Sequence, residues 1–280
     1  MQHAYSLAHL TAIALPPADL IEVAYRSGYE YVGLRLSRVT ETEPLYPIIH
    51  SATAMAAAKV HLAATGVKVW DVELARMDPT LEPDDFFPML DATAELGAHH
   101  VICQLPDPDR VRAHDRFGRL CDYAAPLGIT VSLEFPWWTE TGNLTVASQV
   151  LQATARPNAG LLIDMLHFYR SDSSLEMLKA LPREWFHFAH LCDGPASIGS
   201  DMASILHEAR SHRYFPGDGV FGVKDILDCL PQDITYTLEI PGDALAAEIG
   251  FEEYARRALQ AAKRHLDTTP QTNDILETTA

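Results

Sequence analysis

The segments G-L-L-I-D-M-L-H-F-Y-R at 160–170 and F-H-F-A-H-L-C-D-G at 186–194, separated by a helix-sized stretch, carry the pattern around which the chain is organised. Each is an apolar, strand-like run that finishes on groups able to bind a metal or move a proton. Asp164 and His167 close the first, and His190 and Asp193 close the second. A core strand has no use for a buried charge without a partner, because desolvating it is costly. Two such strands in succession read as the rim of a site.

Outward from this pair, β-type and α-type segments alternate along the chain. Strands are expected at 5–12, 31–36, 67–74, 100–105, 129–135, 160–164, 186–191 and 234–240. Helices are expected at 17–27, 50–65, 83–97, 107–127, 145–154, 174–181, 223–230 and 248–266. Several are bounded by Pro at the start and Gly at the end, as at Pro17 and Gly28. A longer insertion spans 194–222. Eight apolar strands interleaved with eight helices describe a parallel sheet covered by helices. The expected fold class is therefore α/β, a single-domain (β/α)8 TIM barrel over 1–266. A doubly wound open sheet is the rival, but no G-x-G-x-x-G follows the first strand. The polar stretch 267–280 reads as a flexible tail or as an arm onto a second subunit of a homo-oligomer.

The 280 residues suit one α/β barrel, for which roughly 250 is typical. A formal net charge of −17 excludes nucleic acid and an anionic membrane as natural partners, since both would be repelled. A small molecule fits better, and an anionic one needs local Arg to offset the field. Cys103, Cys121, Cys192 and Cys229 have no C-x-x-C spacing, so they read as reduced thiols of a cytoplasmic chain. No leader pattern and no long apolar run is expected to take it to a membrane.

Aligned as a barrel, Glu134, Asp164, His190 and Glu239 fall at the C-terminal ends of consecutive strands, the face on which barrel enzymes build their sites. Any one of them alone has an ordinary explanation as a helix cap, an Arg partner or a core histidine. Four on four successive strands point to one divalent ion. The oxygen-rich set suits Mn²⁺, Mg²⁺ or Co²⁺ and also admits Zn²⁺. Cys192 is a rival ligand that reads better as packing. Trp137 and Trp138 are candidates for a substrate wall, and Glu73 and His9 lie on the same expected rim. Arg210 and Arg213 suit a carboxylate or phosphate, unless Arg210 pairs with Glu208 or Asp218.

The order L-E, I-D-x-x-H, A-H-L-x-D, R-x-x-P-G-D-G and L-E resembles the xylose isomerase-like superfamily of sugar phosphate isomerases and epimerases. The resemblance is close over strands five to eight and rests on the βα rhythm elsewhere. It implies Glu134, Asp164, His190 and Glu239 as metal ligands, with Glu134 and Glu239 as the proton-moving pair. It further implies His167 and Arg213 as substrate contacts, and Glu140 more weakly, because F-P-W-W-T replaces the usual polar stretch before it. The long span between His190 and Arg213 departs from the ketose epimerases and implies a different substrate. The implied reaction is isomerisation or epimerisation of a sugar or polyhydroxy ketone through a metal-stabilised enediolate. Loss of a β-hydroxyl from the same species would make the chain a dehydratase of a 3-dehydroshikimate or inosose type. An apurinic endonuclease is disfavoured by the charge, and a non-catalytic ligand-binding barrel remains the bland alternative.

Overall fold

The computed structural model describes residues 3–267, so most of the polar C-terminal stretch lies outside the described residues. The strands are β1 (Tyr5–Leu7), β2 (Tyr31–Arg35), β3 (Lys68–Arg76), β4 (His100–Gln104), β5 (Thr130–Glu134), β6 (Ala159–Leu161), β7 (Ile163–Asp164), β8 (Phe188–Leu191) and β9 (Thr235–Leu238). All pair in parallel, in the order β6-β5-β4-β3-β2-β1-β9-β8-β7. β6 bonds to β5 and β7 bonds to β8, with only Leu162 between them. They are two halves of one strand position, through which the sheet comes nearly full circle. This is the (β/α)8 barrel expected from the βα rhythm.

The helices are α1 (Pro17–Ser27), α2 (Ala52–Thr65), α3 (Phe87–Glu95), α4 (Arg110–Ala124), α5 (Leu144–Thr154), α6 (Met165–Arg170), α7 (Leu175–Lys179), α8 (Met202–Ser211), α9 (Val223–Leu227), α10 (Asp243–Ile249) and α11 (Phe251–Asp267). Their ends follow local chemistry. Pro17 supplies a preset φ in the first turn of α1, and Gly28, at φ 88°, takes the left-handed conformation that ends it. Ser51, Asp109, Asn143, Ser174 and Asp201 each cap a helix by accepting a backbone N–H. Among the described residues no helix is long and apolar enough to cross a membrane.

Three local differences from the sequence expectation bear on the site. The first strand stops at Leu7, and 9–12 form a 3-10 turn. Thr11 holds that turn by donating to the Leu238 carbonyl and accepting from the Ile240 N–H, which ties it to the end of β9. The short helix α6 begins directly after Asp164, and the insertion 194–222 contains α8.

Side chains alternate across each strand. One set, including Leu7, Val32, Leu34, Val72, Val101, Val131 and Leu238, packs into the large core shared with the helices. The other faces the barrel interior, where Leu74, Ile102, Leu162 and Phe188 form a small separate cluster. Beside them the interior is polar: Ser6, Asp71, Ser132 and Thr237 are completely buried. Asp71 fits because Gly33 lies opposite it on β2; a Cβ there would sit 2.8 Å from a carboxylate oxygen.

Candidate functional site

Four strand ends at the C-terminal mouth supply the centre. Glu134 is the last residue of β5, Asp164 the last of β7, His190 lies in β8 and Glu239 follows β9. All four are buried, and one ligand atom from each lies within 4.8 Å of the others. His190 Nδ1 sits among the carboxylates, 3.4 Å from Glu239, 3.7 Å from Asp164 and 3.8 Å from Glu134. Neither ring nitrogen of His190 has a hydrogen-bond partner.

That arrangement can be tested against a cation. Adjacent ligands bound to one ion at about 2.0–2.2 Å stand roughly 3–3.6 Å apart. The observed spacings match this to within a few tenths of an ångström, and a buried imidazole without a partner is what an ion would satisfy. One nitrogen with three carboxylates is a donor set for a hard or borderline divalent ion. The residues present therefore fit such a group.

Their neighbours hold them in place. Asp164 caps α6, accepting the Leu166 and His167 N–H groups at 2.8 and 3.2 Å through one oxygen. Its other oxygen accepts from Arg213 at 2.7 Å, and Arg213 also lies 2.9 Å from Glu239. Arg213 further donates to the Ala209 and Glu239 carbonyls, so through Nε and Nη1 this buried guanidinium fixes two carboxylates. Gln104 donates to Glu134.

The electrostatics divide the carboxylates. Burial pushes Glu134 up to about 8, helped by the charges of Glu239 and Asp164. Burial acts on Glu239 too, but Arg213 and His190 outweigh it and hold this group below the usual carboxylate range. Arg213 and the nearby histidines likewise overcome burial at Asp164 and hold it well below. His190 is opposed by burial, yet Glu239, Asp164 and Glu134 raise it well above an ordinary histidine. Without a cation, the cluster balances its charge by keeping protons.

The cleft above this centre is lined by Glu134, Glu239, His167, Trp138, Arg210 and Arg213, among others. His167 lines it, lowered by burial to about 4 and hence neutral, with the Trp138 ring edge-on at 5.1 Å. Three expected substrate contacts, Glu140, Trp137 and Glu73, do not line it. Thr139 N–H and Oγ1 both donate to the Pro136 carbonyl, and this tight turn carries Glu140 out to solvent. The same turn points Trp138 into the cleft and leaves Trp137 packed behind it. Glu73 is occupied by Arg35, at 2.6 and 2.9 Å, below the mouth. His9 bonds the Leu15 carbonyl and the Arg35 N–H and stacks on Tyr46, a structural role. Asp193 accepts from the Gly194, Gly217 and Phe221 N–H groups and pins the insertion. Cys192 is buried and contacts Arg213 at 3.6 Å. All four cysteines are free.

Asp71 escaped the sequence reading. It is buried with neither oxygen bonded, within 4.8 Å of His190 and Glu73 ligand atoms, and burial together with Glu73 raises it to about 8. The signal was present: Asp71 and Glu73 stand two apart on one strand and so share a face.

A family profile described as xylose isomerase-like TIM barrel matches residues 21–265. Among curated proteins, inosose isomerase of Bacillus subtilis (strain 168) is 24% identical over 195 residues, covering 64% of this chain and 66% of that protein. The matched stretch thus spans just under two thirds of that relative's length. Among solved structures, the IOLI protein with a bound zinc atom superposes with a TM-score of 0.76 at 18% identity, over 94% of this chain and 98% of that one. D-allulose 3-epimerase from Methylomonas sp., in complex with D-allulose, does so at 0.68 and 17%, over 95% and 98%. The probable 3-DHS dehydratase AsbF of Bacillus anthracis does so at 0.69 and 15%, over 93% and 98%. At these identities the superpositions speak for the fold alone.

Proposed function

The chain belongs to the xylose isomerase-like TIM barrel family, and from that premise we propose that it is a divalent-metal-dependent isomerase or epimerase of a sugar or related polyhydroxy ketone. The observation that carries this reading is the convergence of Glu134, Asp164, His190 and Glu239 at the mouth. These four would hold the cation. When bound, it supplies positive charge that polarises a carbonyl and neighbouring hydroxyl and acidifies the intervening C–H. The relatives support the reading: one is named an isomerase, one an epimerase, and one holds zinc. They support a divalent ion as a class, and the oxygen-rich donor set favours Mn²⁺, Mg²⁺ or Co²⁺ beside Zn²⁺.

The chain's own residues supply the proton movements. Glu239, held ionised by Arg213, accepts a proton from the carbon beside the carbonyl. Glu134, oriented by Gln104, returns to the opposite face a proton drawn from solvent while Glu239 gives its own up to solvent, so the carbon is inverted and no atom is lost. For isomerisation the proton returns to the neighbouring carbon instead. His167 donates or accepts as a neutral imidazole at the substrate hydroxyls, and Trp138 gives the cleft an apolar wall that excludes water. A dehydratase is the second reading. It is favoured by the cationic cleft mouth described below, which suits an acidic cyclic substrate.

The test is incubation of the Mn²⁺-loaded protein with ketoses and cyclic hydroxy ketones in D₂O. Solvent deuterium incorporated at one carbon with the skeleton retained supports proton transfer, and a new ultraviolet chromophore supports dehydration. Glu239→Gln is expected to lower either rate by roughly 10²–10⁴. No incorporation and no chromophore with any substrate and metal combination would leave a ligand-binding barrel.

A further inference from the structure

We propose that Arg210, assisted by Arg76, is an anion-recognition site that receives a carboxylate or phosphate on the substrate, remote from the reacting carbon. As a statement about substrate class it rests on the proton-transfer reading of the same cleft.

Two arginines three residues apart end in opposite states. Arg213 is buried and committed to Asp164 and Glu239. Arg210 is half-buried, lines the cleft with His167 and Glu239, and makes no hydrogen bond or ion pair with any described residue. The acids that neighbour it in sequence are engaged or elsewhere. Glu208 is buried against Arg170, 3.1 Å from its Nε. Asp218 lines a separate apolar recess with Phe215 and Tyr254. Glu43 attracts Arg210 from a distance but is bonded to Arg35 and to the Val39 N–H.

The surroundings of Arg210 are positive. Arg35 and Arg76 line the same cleft and repel it. Arg35 is balanced by Glu73 and Glu43, whereas Arg76 has, among the described residues, only Asp78 at 3.9 Å, the outer limit of an ion pair. A partly desolvated guanidinium beside two others, with no acid bonded to it, is a cost to the folded protein unless something negative arrives. In a chain of net charge −17 such a mouth also counters the field that would turn an anion away. A planar guanidinium matches the paired oxygens of a carboxylate or phosphate.

The full-length protein, with and without added Mn²⁺, is titrated calorimetrically with inorganic phosphate and with glycolate, for wild type, Arg210→Gln, Arg210→Lys and Arg76→Gln. Wild type is expected to bind at least one probe, with Arg210→Gln weakening it about 10- to 100-fold. Arg210→Lys should recover part of the loss, and thermal stability should not fall, since Arg210 has no protein partner to lose. Glycolate binding without phosphate identifies a carboxylate substrate; the reverse identifies a phosphate ester. Equal binding by wild type and Arg210→Gln, or binding of neither probe, overturns the proposal. Because the titration needs no turnover, anion binding lost in Arg210→Gln alongside absent deuterium exchange would sink the proton-transfer reading and leave this site standing.

Discussion

Cation binding to this site should release protons, and the structure sets how many. Glu134 titrates near 8, so at pH 7 about nine-tenths of the molecules carry a proton there. His190 is raised well above its ordinary 6.5 and is also protonated. Both must ionise or become neutral to act as ligands. About two protons should therefore leave per ion bound at pH 7, and affinity should climb roughly 100-fold per pH unit. By pH 9 Glu134 is largely ionised and its share disappears. Keeping Glu134 ionised at pH 6, two units below its midpoint, costs about 2.7 kcal/mol of binding free energy. The cation-free protein should respond in the opposite sense. Glu134 and Asp71 have folded values above their ordinary ones, so their contribution is full below about 4 and is lost as pH rises toward 8. His190, also raised, loses its contribution in the same direction. For Glu134 alone the 3.5-unit difference amounts to at most about 5 kcal/mol. Asp164 and Glu239, held low, contribute above their ordinary values and lose that contribution on acidification. Without a cation, stability should thus fall from mildly acidic toward alkaline pH, and Mn²⁺ should reverse the slope. Calorimetry of Mn²⁺ binding in buffers of different ionisation enthalpy measures the proton count. A count near zero at pH 7 would refute the assignment of these groups as ligands.

Two further perturbations probe the scaffold. Arg213→Leu leaves Asp164 and Glu239 facing each other without their shared guanidinium and should cost about 3–5 kcal/mol in denaturant unfolding; a loss under 1 kcal/mol would contradict the positioning role. Gly33→Ala drives a methyl to 2.8 Å from Asp71 Oδ2 and should cost about 1–3 kcal/mol. Pairing it with Asp71→Ala should recover much of that loss, as a double-mutant cycle would show.

Much of the barrel was legible because its signals are local. Pro17 and Gly28 bracket α1 in the sequence as they do in space, and apolar runs ending on Glu134, Asp164 and Glu239 are the strands that reach the mouth. What escaped depends on contacts between distant segments. The run 160–164 reads as one strand, yet Leu162 turns inward to Leu74, Ile102 and Phe188 and splits it. Helix α6 is not among the expected helices, although Asp164, for which a cap is one expected reading, accepts two N–H groups at its start. The Asp201 and Ser204 pair that opens α8 is a helix-start signal inside what read as an irregular insertion. The Glu140 expectation depended on spacing alone, and the 136–139 turn is where that spacing is undone.

The two arginines show most directly why spacing cannot assign roles. Helix α8 ends at Ser211, and the next residues cross to the end of β9, where His212 bridges to Gly242 and Arg213 N–H donates to the Pro241 carbonyl. The chain changes direction between positions 210 and 213, so one guanidinium is buried against Asp164 and Glu239 and the other stays half-exposed at the cleft. Burial then decides the outcome. A fully buried cation is stable only when matched, and Arg213 is matched by the two carboxylates that most need holding. A half-exposed cation tolerates being unmatched because solvent still screens it, and that tolerance keeps Arg210 available to a ligand. The arginine that the motif nominates as a substrate contact thus also pairs with Asp164 and Glu239, while its neighbour lines the same cleft without a bonded acid, as the anion-site proposal requires.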